Sequence, residues 1–141
     1  MSPRRKDKDL QTVIQRRDDE IRERRFYAGR APIGVEHYFD RTSALPTSLM
    51  RYHLEPGAEE GAHFHLEGHS GSCTPESSDE LYLVVEGEVV MTADGDRTVL
   101  KRGDAAYVPA GVVHSVLNES DRPAELVLVF GPPQGSEERQ R

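Results

Sequence analysis

From residue 48 onward the chain alternates apolar and polar residues at a period of two. In residues 48–55, SLMRYHLE, Met50, Tyr52 and Leu54 share one face while Leu49, Arg51 and His53 share the other. That pattern predicts a strand with one buried side. Shorter runs of the same kind follow at 81–86, 88–93, 98–101, 105–108, 113–117 and 124–130. Gly87 and Asp94-Gly95-Asp96 separate the first three, and an Asp-Gly pair between apolar runs is a strong hairpin signal. Residues 35–40 read as an earlier strand in which His37 is a surface or edge residue. Eight or nine short strands divided by turns predict an antiparallel β-sandwich or barrel.

Two stretches depart from this period. In residues 7–26, Leu10, Val13, Ile14 and Ile21 fall near one helical face among Asp, Glu and Arg, which predicts a short N-terminal helix with a thin apolar stripe. Gly29 and Pro32 would end it. Residues 66–79 show neither period and hold two Gly, four Ser, one Pro and one Thr, the composition of a loop. The expected organisation is a helical arm over 1–32, a β domain over 33–131 with a loop insertion at 66–79, and a flexible tail of Pro, Gly and charge over 132–141.

At 141 residues the chain suits one domain with a single core. A net charge of -7 argues against a general nucleic-acid or membrane surface. The charge is uneven. Residues 1–25 carry nine Lys/Arg against six Asp/Glu, near +3, which leaves the remainder near -10. Such a basic arm would rest on its own acidic body or on a partner subunit. The single cysteine, Cys73, excludes an intrachain disulfide and fits a reducing compartment. No apolar stretch reaches membrane-spanning length, and Ser2-Pro3-Arg4 leads into charge instead of a signal peptide, so a cytoplasmic setting is expected.

The chemistry concentrates in residues 57–87, GAEEGAHFHLEGHSGSCTPESSDELYLVVEG. His63 and His65 are two residues apart, so on a strand both rings project to one face. Glu80 opens an apolar strand, and His114 follows a Pro109-Ala110-Gly111 turn. Three imidazoles and one carboxylate on or beside β segments could close around a single divalent metal. Glu67 and Glu76 are the competing carboxylates. Glu67 lies too close behind His65 to fold back easily and Glu76 lies within the loop, so Glu80 is the expected ligand.

These residues resemble the two motifs of the cupin superfamily. Gly57, His63, His65, Glu80 and Gly87 match the first motif, except that fourteen residues separate His65 from Glu80 where the family has three or four. Gly103, Pro109, Gly111, His114 and Asn118 match the second without departure. The resemblance covers roughly residues 45–131 and implies a jelly-roll barrel binding one metal ion per chain. An all-N/O ligand set suits Fe(II), the favoured ion, and also Zn, Mn, Ni or Co.

The resemblance further implies a small-molecule substrate, a homodimer, and one of two chemistries. One is dioxygenation, favoured here. The other is non-redox isomerisation, cyclisation or lyase chemistry with the metal as Lewis acid. A small-molecule sensor or binding module without turnover is the alternative, whereas a storage-type structural cupin fits poorly with four retained ligands. Tyr52, Tyr82 and Tyr107 are candidates to line the pocket or move a proton, and His53 to sit at its mouth. Tyr82 shares the parity of Glu80 and is expected to face inward. The insertion is either a substrate lid or a tolerated surface loop, and its His69 and Cys73 are a weak candidate for a second metal site.

Overall fold

The computed structural model describes residues 11–133. Within them lie ten strands: β1 (Ile21–Arg24), β2 (Ile33–Tyr38), β3 (Ser48–Leu54), β4 (Glu59–His63), β5 (Asp79–Glu86), β6 (Glu88–Ala93), β7 (Asp96–Lys101), β8 (Ala105–Val108), β9 (His114–Leu117) and β10 (Ala124–Gly131). They pair antiparallel in two sheets, one in the order β1-β2-β3-β10-β5-β8 and the other β4-β9-β6-β7. The period-two alternation explains the sandwich. In β5 the residues Glu80, Tyr82 and Val84 turn inward, and in β10 Ala124, Leu126 and Leu128 do the same. All of these but the charged Glu80 join Ile33, Val35, Met50, Tyr52, Leu54, Val89, Met91 and Val116 in one core between the sheets.

Turn chemistry fixes the register. Asp94 and Gly95 both adopt positive φ, 48° and 86°, so β6 and β7 are joined by a two-residue turn whose twist matches its strands. Asn118 ends β9 by donating its amide to the carbonyls of Leu54 and Arg122 at 2.9 and 2.8 Å, while its own oxygen accepts from Ser120. This motif residue is therefore a splice between β9 and β3. It has no contact with the histidines.

The predicted N-terminal helix is corrected for the residues described. Residues 17–20 form a turn, and β1 pairs with β2 along the sheet edge, Ile21 opposite Glu36. The thin apolar stripe is outcompeted by a buried carboxylate. Glu36 is fully buried and accepts from Gln15 Nε2 (3.1 Å), the Asp18 amide (2.8 Å), the Glu20 amide (3.0 Å) and Arg51 (3.0 Å). Two backbone N–H groups that a helix would spend internally thus satisfy a charge that water no longer reaches. Arg51, also buried, completes the cluster with Asp18 at 2.5 Å and Glu125 at 3.2 Å. Residues 7–10 of the predicted helix and 134–141 of the predicted tail lie outside the described residues.

Burial pushes the Glu36 carboxyl up, but the amides of Glu20 and Asp18, the Gln15 side chain and Arg51 together lower it from 4.5 to about 2. Its stabilisation is therefore complete above the unfolded value near 4.5 and is lost as pH falls toward 2. We expect Glu36→Gln to cost roughly 3 kcal/mol, because Arg51 keeps its charge and loses a buried partner. Urea unfolding at pH 7 measures this. Unchanged stability would exclude the role assigned to Glu36.

Candidate metal centre

The four candidate ligands come from both sheets. His63 ends β4 and His114 begins β9, and the two are direct cross-strand partners, so their rings share one face. His65 lies two residues past the end of β4. Its carbonyl accepts from the Gly111 amide at 3.2 Å, so the Pro109-Ala110-Gly111 turn holds the backbone of the first histidine pair in place. Glu80 reaches across from β5 in the facing sheet. All four residues are buried, and each offers a ligand atom within 4.8 Å of the others, which makes them a group that could hold a metal ion.

The rings converge on one atom. Glu80 Oε1 contacts His65 Nε2 directly and lies 3.5 Å from His114 Nε2 and 3.8 Å from His63 Nε2. Burial would raise the Glu80 pKa, but bonds to His114, His63, His65 and Tyr82 hold it well below the usual carboxylate range. For His114, burial lowers the imidazole while Glu80 and the Val112 carbonyl raise it, with a net shift upward. His63 Nδ1 meets the Gly61 carbonyl and His114 Nδ1 the Val112 carbonyl, each at 2.8 Å. A carbonyl only accepts, so both Nδ1 atoms carry a hydrogen and both Nε2 atoms face inward, donating to Glu80 when protonated and free to ligate an ion once that proton leaves. This donor set fits a divalent ion.

Not every sequence candidate reaches the cluster. The Tyr82 hydroxyl lies 3.1 Å from His114 Nε2, as its parity predicts. Tyr52 approaches indirectly, through a 2.5 Å bond to Glu60. His53 and Tyr107 lie elsewhere. His53 sits on the opposite face of β3 from Tyr52 and bonds Glu55 and Glu125. Tyr107 is exposed on the edge strand β8 and bonds Asp79. Glu67 and Glu76 are exposed, so of the three carboxylates weighed from the sequence Glu80 is the one that the fold brings to the histidines. His69 and Cys73 do not form a second cluster: His69 Nδ1 accepts from the Gly71 amide, and Cys73 lies against His65.

Glu60 is the buried residue that sequence reasoning missed. Its carboxylate accepts from Tyr52 (2.5 Å) and Tyr82 (2.7 Å) and stands 3.8 Å from His63 Nε2. Burial raises its pKa, His63 opposes that, and the Glu80 charge adds to it, with a net shift upward. Strict alternation would set Glu60 on the face opposite His63, three residues away. A register irregularity between Glu60 and His63 brings both inward. Tyr27 was missed as well. Its ring stacks on His63 at 4.0 Å, because Gly61 lets the backbone of residues 26–29 lie directly on β4; a Cβ at Gly61 would stand 2.0 Å from the Tyr27 carbonyl oxygen.

Comparison with known proteins agrees with this architecture. The chain is 37% identical over 67 residues to uncharacterized protein SCO3923 of Streptomyces coelicolor, covering 48% of this chain and 63% of that one. It is 32% identical over 73 residues to a Mycobacterium tuberculosis protein named beta-D-galactosidase Rv1717, covering 52% and 63%. It thus spans less than two thirds of the length of these curated relatives. A Thermotoga maritima structure described as a predicted oxalate decarboxylase superposes with a TM-score of 0.70 at 22% identity, covering 86% of this chain and 99% of that one. The family model described as cupin domain matches residues 50–130, which contain all four candidate ligands, and the chain belongs to the cupin family.

Proposed function

We propose that the protein is a metal-dependent enzyme acting on a small organic molecule, with one divalent ion per chain held by His63, His65, Glu80 and His114. The observation that carries this reading is the convergence of three imidazole Nε2 atoms on one buried, ionised carboxylate. Fe(II) is the favoured ion, and the same donors accept Zn, Mn, Ni or Co. A bound ion would supply either O₂ and substrate activation or Lewis-acid polarisation of a carbonyl. Dioxygenation is the favoured reaction. The relatives are named for unlike activities, so their names do not choose between these chemistries.

The non-redox reading, an isomerase, cyclase or lyase, has its own support. Glu60 is a buried carboxyl whose proton affinity is raised, and the Tyr82 hydroxyl stands between it and His114. Such a pair can take a proton from a substrate carbon and return it elsewhere. Burial and the neighbouring carboxylates push the Tyr52 and Tyr82 hydroxyls well above their ordinary values, so both remain donors. Tyr27 and Phe130, which stack on His63 and His65, offer apolar walls for the organic part of a substrate.

We also propose a homodimer. Leu49, Val129, Leu81 and Tyr107 are successive cross-strand partners over β3, β10, β5 and β8, and they form an apolar row on the outer face of the six-stranded sheet. Leu49, Leu81 and Tyr107 are exposed there at 41, 39 and 63%. A second copy would cover that row. Among the described residues no helix is long and apolar enough to cross a membrane. The free thiol of Cys73 supports a cytoplasmic setting.

Elemental analysis of anaerobically purified protein is expected to find one metal per chain. His65→Ala and His114→Ala should lose most of it and Glu80→Gln should bind it weakly, while Glu67→Gln and Glu76→Gln retain it. Full occupancy in both histidine variants would refute the site.

Turnover under argon and under air separates the chemistries. Dioxygenation requires O₂ uptake matched to product and loss of activity with Zn(II). Undiminished anaerobic turnover selects the non-redox reading, in which Glu60→Gln should lower kcat about 100-fold at unchanged metal content. Binding of substrate without conversion under either gas would select the sensor reading.

Light scattering is expected to give twice the 15.8 kDa chain mass, and Leu81→Arg to shift it to the monomer. A monomeric wild-type protein would refute the dimer.

A further inference from the structure

The three imidazoles are not held alike. His63 and His114 each lean on a backbone carbonyl two residues earlier in their own segment. His65 has no such carbonyl at its Nδ1. Its partners there are Thr74 Oγ1 and Cys73 Sγ, both at 3.1 Å, and both belong to the 66–79 insertion. The hydrogens of these two groups are already committed. Thr74 donates its hydroxyl to the Glu76 carbonyl at 2.8 Å, and Cys73 donates its thiol to the Phe64 carbonyl at 3.0 Å. A hydroxyl or thiol whose hydrogen points to a carbonyl presents only lone pairs to a third group. Thr74 therefore accepts from the His65 Nδ1–H, while Cys73 Sγ, 3.1 Å from Nδ1 and 3.8 Å from Nε2, packs beside the ring.

From this geometry, and resting on the metal reading above, we propose that Thr74, assisted by Cys73, is a positioning residue for the metal centre. Thr74 keeps a hydrogen on His65 Nδ1, so that Nε2 is the atom turned toward Glu80 and left to ligate the ion. The insertion that sets this chain apart from the usual motif spacing thus does the work that a main-chain carbonyl does for the other two ligands. Ser72 makes the arrangement rigid. Its hydroxyl accepts from the Leu66 and Thr74 amides at 2.9 and 3.4 Å and donates to the Thr74 carbonyl at 2.6 Å, so the segment is tied across its own base. Partners of this kind orient a metal-bound imidazole, and their loss typically lowers metal affinity about 10- to 100-fold.

The test is Zn(II) affinity of the full chain by chelator competition, read together with the His65 Nδ1–H resonance of the zinc-loaded protein by ¹⁵N-edited NMR. Thr74→Val keeps the shape of the side chain and removes the acceptor; combined with Cys73→Ala it is expected to weaken zinc binding about 10- to 100-fold and to broaden or shift that resonance. Thr74→Ser should restore both. Ser77→Ala removes a different bond of the same loop, to the Glu67 amide, and should leave both unchanged. Thermal unfolding of the metal-free variants separates lost positioning from lost folding. If the double variant binds zinc like the wild type with the resonance unmoved, or if Ser77→Ala weakens binding equally, the assignment is overturned while the metal site stands. A wild-type protein that takes up no zinc, iron or manganese would overturn the metal reading and this assignment together.

Discussion

Glu80 is a carboxylate kept ionised between two sheets, at 4% exposure, and much of the architecture follows from what that requires. Desolvation alone would protonate it. Three ring nitrogens and a tyrosine hydroxyl reverse the balance, and they must arrive from different strands: His63 from β4, His114 from β9, Tyr82 from β5 itself, with His65 held at the end of β4 by the turn before β9. The sandwich is the device that brings them together. Its hydrophobic core sits between the same two layers, so the packing that stabilises the fold also sets the ligand distances.

A second buried carboxylate, Glu36, governs the outer face of the six-stranded sheet, and the contrast is instructive. Glu36 is compensated by fixed donors, two amides, a carboxamide and a guanidinium, none of which changes its charge in the accessible pH range. Glu80 is compensated by imidazoles, which exchange a proton for a metal ion readily. The first arrangement is suited to holding a segment down, and it does so for residues 15–20. The second is suited to binding. Geometry separates the two roles where composition does not, since both centres are buried carboxylates facing nitrogen donors.

What could be read from the sequence follows the same physics. Period-two alternation located β3, β6, β8 and β10 to within a residue, because each has one face in the core. The two histidine motifs and the head-of-strand position of Glu80 led to the four residues that the fold gathers. Alternation failed where the chain leaves it. A register irregularity turns Glu60 inward beside His63, and no count by twos finds that. Residues 17–24 have the composition of an exposed helix, but their amides are recruited by Glu36, a partner 16 to 18 residues away. Tyr107 was chosen by residue type and His53 for its place before the Pro56-Gly57 turn; one stands at an exposed edge, and the other points to the face of β3 opposite Tyr52.

The features around the ligands carry the individuality of this chain. The second motif is complete, whereas the first is opened by fourteen residues between His65 and Glu80. An insertion there lengthens the link between two sheets at the point where both contribute ligands, and this would loosen the site if the added residues were free. They are tied down instead: Cys73 and Thr74 meet His65, Ser72 closes the segment on itself, and the Asp79 carboxylate accepts from the Ala110 amide at 2.8 Å. From the other side Tyr27 covers His63, and its hydroxyl meets the Cys73 thiol. Two segments far apart in sequence therefore close over one flank of the histidines. Glu60 and Tyr82, both fully buried, bond each other beside the same histidines, so the polar centre is backed from within the sandwich as well.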